Sequence, residues 1–157
     1  KPQYMINVKT YREYFERAVS EIPELQGCIV VAAEEALAKK IKDIDSFPLL
    51  VAVIPSADPH TFDSDNFSDS NIALLFVLTR RGKSNYTEET FLDDLEITQG
   101  IISQLKLLMI ADMQDCSSAG HPVMKDLDPG SFHQDPEYNY LGCDGWSLSF
   151  QFVTGGF

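Results

Sequence analysis

The residues able to do chemistry are spread along the chain. Three histidines occur, His60, His121 and His133, and three cysteines, Cys28, Cys116 and Cys143. A zinc site or a thiol catalyst needs such groups to converge, and its sequence form is a His pair one helical turn apart or a Cys-x-x-Cys step. Neither is present. Cys116 follows Asp115 at the predicted end of a long helix, where a thiolate is disfavoured, because the positive end of a helix is its N-terminus. Cys28 sits in an apolar run and reads as core. Cys143 lies between Gly142 and Asp144 and reads as an exposed turn residue. Three unpaired thiols suit a reducing compartment.

Asp63, Asp65 and Asp69 invite a metal test. A calcium loop places acids at positions 1, 3 and 5, glycine at 6 and glutamate at 12. Counted from Asp63, those later places hold Phe67, Ser68 and Leu74. The expectation is no dedicated metal site, with Asp63, Asp65 and Asp69 left as a weak divalent-cation cluster. No GxGxxG, Walker, GxSxG or HExxH motif occurs, so no cofactor and no catalytic residue is expected. Glu34 and Glu35 are adjacent on a helix and point about 100° apart, so they do not flank one bond; they suit the helix dipole instead.

The aromatics carry more information. Phe62 and Phe67 stand in an acidic, polar stretch, and Tyr138 and Tyr140 in the run Asp135-Pro136-Glu137-Tyr138-Asn139-Tyr140. Each pair has two readings: anchors for a partner, or side chains folded back on the sheet.

The elements that position these residues follow from periodicity. Thr10 and Glu13 have capping-box spacing. Tyr11, Tyr14, Phe15, Ala18, Val19 and Ile22 then recur at helical intervals, which predicts a helix over 10–22 ended by Pro23. Cys28-Ile29-Val30-Val31 predicts a strand and 33–44 a helix, acidic at its start and basic at its end. Strands follow over 47–54 and 71–79. The first is apolar at nearly every position, as a strand covered on both faces would be. Between them, 57–71 reads as an exposed acidic loop. Arg80-Arg81-Gly82-Lys83 is the densest positive cluster. A long helix is predicted over 87–113, capped by Thr87, with Gly100 marking a close approach to the sheet. Short strands are predicted near 123–127 and 131–133. In 145–153, Trp146, Leu148, Phe150 and Phe152 alternate with Ser147, Ser149 and Gln151, which predicts a strand with one buried face. This order predicts one α+β domain over 1–157, a mainly antiparallel sheet with helices packed on one face.

Charge narrows the partners. Of 157 residues, 12 are Lys or Arg and 24 are Asp or Glu, giving a formal charge of −12. Such a balance disfavours nucleic acid and anionic membrane surfaces. No run is long and apolar enough for a membrane span, and the first residues have no signal-peptide core, so a cytoplasmic location is expected.

The layout resembles small tail-completion or tail-terminator-like proteins of bacteriophages and prophage-derived elements. The resemblance rests on Phe47-Pro48-Leu49-Leu50, on Asp65-Asn66 and on Leu75-Phe76-Val77-Leu78. It also rests on the long helix with Glu96, Ile97 and Asp112, and on Asp144-Gly145-Trp146-Ser147-Leu148-Ser149-Phe150. It implies an assembly protein, a homo-oligomeric ring subunit that caps or joins a tail tube and meets other tail proteins, within a virion or tail particle. The acidic 58–70 stretch departs from that pattern. Two further readings stand beside it: a small-molecule or peptide binding module with a pocket between the long helix and the sheet, and an enzyme built on His60, His121 or His133 with neighbouring aspartates.

Overall fold

The computed structural model describes residues 7–63, 66–82, 86–115 and 123–155, with backbone alone for 57–63, 66–69 and 154–155. In chain order the elements are α1 (Val8–Glu21), β1 (Gly27–Val31), α2 (Glu34–Lys40, running into a 3-10 turn at Ile41–Asp43), β2 (Leu49–Asp63), β3 (Asn66–Arg80), α3 (Glu88–Gln114), β4 (Leu127–Tyr140) and β5 (Cys143–Gly155). The strands form one sheet in the order β1-β2-β3-β5-β4. β1 runs parallel to β2, and every other neighbouring pair is antiparallel. The fold is α+β, with a mostly antiparallel sheet and one long helix.

Strand parity sorts the core. Leu50 and Ala52 of β2, Leu75 and Val77 of β3, and Leu148, Phe150 and Phe152 of β5 face α1 and α3. Leu49 and Val51, with Phe76 and Leu78, face the other way, onto Leu37 and Ile41 of α2 and its 3-10 turn. The two longer helices therefore share one face, and the short α2 covers one end of the other. That second cover is why β2 begins apolar at every position while β5 alternates. Each fully buried Leu contributes about 1.5–3 kcal/mol.

Several local expectations are corrected. The α1 cap is Asn7, whose side chain accepts from the Thr10 N–H at 3.1 Å, so the helix starts before Thr10. The 57–71 stretch is not a loop. Apart from 64–65, which lie outside the described residues, it continues β2 and β3 as a hairpin in which Ala57 pairs with Asn71 and Thr61 with Phe67. Its polar side chains hid a ladder that extends from the apolar part of the same two strands. Gly100 does not approach the sheet: it is exposed, and a Cβ there would meet nothing within 4 Å. Residues 123–126 form a turn, and the short strand at 131–133 is part of the longer β4. Cys143 is buried rather than turn-exposed, because the turn is completed before it, at Leu141 and Gly142.

Thr87 caps α3 as expected, its hydroxyl accepting from the Thr90 N–H at 3.2 Å. Side-chain hydrogen bonds hold α3 at both ends. The Trp146 indole N–H donates to the Leu95 carbonyl at 2.9 Å. Nearer the other end, the buried Asp112 carboxylate accepts from the Tyr14 hydroxyl at 2.6 Å and from Arg17 at 2.7 Å, tying α3 to α1.

Candidate functional site

The densest polar arrangement lies where β3 ends, α3 begins and the β4–β5 hairpin turns. Leu141 and Gly142 form a two-residue turn, with φ of 53° and 80°, and Asn139 before it has φ of 50°. Gly142 takes this left-handed conformation without steric cost. The turn carries β5 back so that Asp144 pairs with Thr79 of β3. Close approach of the two strands also requires the next residue to be glycine: a Cβ on Gly145 would lie 1.9 Å from the Val77 carbonyl oxygen.

Asp144 is fully buried and fully served. Arg81 grips it with two bonds, Nε to Oδ2 at 3.0 Å and Nη2 to Oδ1 at 2.7 Å. The Asn139 N–H donates to Oδ1 at 2.7 Å, and the Tyr86 hydroxyl donates to Oδ2. Burial alone would push this carboxyl up, but the bonds from Arg81, Tyr86 and Asn139 outweigh it and hold it below its ordinary value. Such a carboxylate is a structural anion with no lone pair free for proton transfer. The Arg81 guanidinium is held above its ordinary value, first by its bond to Asp144. It also lies 4.2 Å from the Tyr86 ring centre and 4.4 Å from that of Tyr138. Phe91 meets Tyr138 edge-on at 5.0 Å.

Asp94 stands on the rim of this corner. Burial first, and the charge of Asp144 second, push its carboxyl up. Tyr86 Oη lies 3.4 Å from it, at the limit of a hydrogen bond, while the one hydroxyl proton is directed to Asp144. Beside these residues opens a cavity of about 580 Å³ lined by Arg81, Tyr86, Thr87, Glu88, Phe91 and Tyr138.

The interface candidates divide between two places. Tyr138 is at this corner, 67% exposed. Tyr140 is engaged within the chain: its ring stacks on Phe76 at 4.9 Å and its hydroxyl donates to Glu34 at 3.1 Å. Phe62 lies on β2 and Phe67 on β3, at the far end of the sheet. Asp63 and Asp69 are on opposite strands of that hairpin, Asp69 opposite Pro59, while Asp65 lies outside the described residues.

His60 is on β2, His133 is exposed on β4 beside Asp135 at 2.9 Å, and His121 is outside the described residues. Among the described residues no group of three or more His, Cys, Asp or Glu side chains could hold a metal ion. Burial pushes the Cys28 thiol up to about 12 and the Cys143 thiol up to about 11, so both stay protonated at neutral pH. Nothing among the described residues points to enzymatic activity. Among them, no helix is long and apolar enough to cross a membrane.

Sequence reasoning singled out the Arg80-Arg81 cluster but not its acceptor. Asp144 is 63 positions away from Arg81, and only strand pairing brings the two together. No protein-family model matches the chain, and no curated protein matches it.

Proposed function

We propose that this chain is a structural subunit of a phage-like tail, which joins copies of itself into a ring and meets other tail components. The observation that carries the reading is the overhang of the sheet. β1 pairs with β2 only over Leu49–Val53, whereas β2 continues to Asp63. Residues 54–63 have β3 on one side and, among the described residues, no strand on the other. A strand edge left open in this way presents backbone donors and acceptors to a neighbour. Pro55 and Pro59 in this segment have no backbone donor, which disfavours indiscriminate pairing. The acidic charge suits tail partners with basic surfaces.

Light scattering on a sizing column, or native mass measurement, tests the reading. A closed oligomer is expected, or one that forms on mixing with tail-tube protein. Shortening the hairpin by removing 57–70 should abolish the oligomer and leave the monomer folded. A chain that stays monomeric at high concentration and ignores tail proteins would sink the proposal.

A second reading has its own support, the 580 Å³ cavity at the Arg81 corner. There the chain would bind a small aromatic ligand against the exposed faces of Tyr138 and Phe91. A thermal shift with aromatic carboxylates, lost in Tyr138→Ala, is its signature. No shift across such a panel removes it.

A further inference from the structure

The outer face of α3 is unusual for so acidic a chain. Ile97, Gly100, Gln104, Leu107 and Ala111 are all exposed, Ile97 at 56% and Leu107 at 68%. Their spacing of three, four, three and four residues is that of a helix–helix seam. Between Ile97 and Ala111 the helix carries one charge, Lys106, and that ammonium is turned to β4, where it donates to Gln134 at 2.8 Å. A chain with a net charge of −12 thus has one long stripe without carboxylates. Gly100 adds an independent observation. A mid-helix glycine weakens a helix, and among the described residues nothing beyond its own helical turn lies within 4 Å of where its Cβ would be. Packing among the described residues does not account for it.

We propose that this stripe docks on the same stripe of a second copy, antiparallel and centred on Gln104. Antiparallel register about that centre sets Leu107 over the notch at Gly100 and Ile97 over Ala111. Each large side chain meets a small one, and two-fold symmetry makes each pairing occur twice. The two Gln104 amides meet at the axis, where a polar pair fixes register. Parallel pairing would instead set Leu107 on Leu107 and Gly100 on Gly100, crowding one level and emptying another. The charge pattern also favours a second copy over a charged partner: the stripe offers nothing for an ion to pair with, and between Ile97 and Ala111 it brings no carboxylates of two acidic chains together. The same register brings Asp93 opposite Asp115 at each end, so added salt should strengthen the contact. The stripe is about 21 Å long at 1.5 Å per residue. That places the contact among small interfaces, below about 1,200 Å². The inference does not depend on the tail reading, because a two-fold helix contact is separate from any ring made through sheet edges.

Sedimentation up to about 500 µM protein, a range suited to small interfaces, tests it. The wild type should reach a mass that Gly100→Leu halves, whether from dimer to monomer or from paired rings to one ring. Gly100→Leu should keep or raise the unfolding temperature, since the added side chain meets open space within the protomer. Leu107→Glu should weaken association by about tenfold or more. Under oxidation in a Cys116→Ser background, Gln104→Cys should give a disulfide-linked dimer that the background alone does not. An unchanged mass for Gly100→Leu, or no cross-link through position 104, overturns the proposal. If the ring persists in Gly100→Leu at half the mass, both proposals stand; if it persists at full mass, only this one falls.

Discussion

The two ends of the sheet are built on opposite principles. At one end, β3 and β5 run into the Arg81–Asp144 corner, where a buried carboxylate receives four donated hydrogen bonds from three residues. At the other, the same β3 carries β2 outward as a hairpin whose outer edge has no strand beside it among the described residues. The first end joins the turn of one hairpin to the start of the long helix through side chains. The second relies on backbone pairing along a polar run. A buried ion pair loses heavily when one partner goes, whereas a strand edge frays locally. The contrast separates a part held by buried side chains from a part whose outer strand edge is uncovered among the described residues.

The largest expected effect breaks the fixed end. Asp144→Ala leaves the Arg81 guanidinium without its carboxylate and the Tyr86 hydroxyl without its acceptor, and should cost about 3 kcal/mol in chemical denaturation. A loss under about 1 kcal/mol would mean that the corner does not anchor the sheet. Next comes the contrast itself. Amides of Leu50 to Ala52, between two strands, should exchange with solvent at least about tenfold more slowly than those of Ala57 to Thr61, a gap of about 1.4 kcal/mol in opening free energy. Equal protection would show that the hairpin edge is covered.

The smallest effect is electrostatic. The Asp94 carboxyl is raised in the folded protein, so its contribution favours folding at low pH and is lost as pH rises through its folded value. Asp94→Asn should therefore raise stability slightly at pH 7, with the gain disappearing below about pH 4. Asp144 has the opposite sign: its carboxyl is lowered, so its contribution is present at neutral pH and lost on acidification through the lowered value. A gain from Asp94→Asn that does not vary with pH would point to packing rather than charge.

Much of the fold was legible because it rests on local pattern. The final strand could be read from Trp146, Leu148, Phe150 and Phe152, and the long helix from its Thr87 cap and apolar repeats. The β2–β3 extension was hidden because Asp58, Asp63 and Asp69 carry the composition of a loop. Paired backbones do not require apolar side chains when a ladder is already in register. The site was half legible. Tyr138 was flagged by type, and Arg81 by charge, but Tyr86 gave no signal.

By itself, the sequence determined the element order, the acidic surface and the alternating parity that selects which strand face is buried. These depend on neighbours in the chain. Only the tertiary structure decided that Arg81 meets Asp144, that Gly145 lies against the Val77 carbonyl, and that Gly100 faces open space rather than the sheet. Each of these depends on which strands pair and in what register, and that choice is made by the whole core at once.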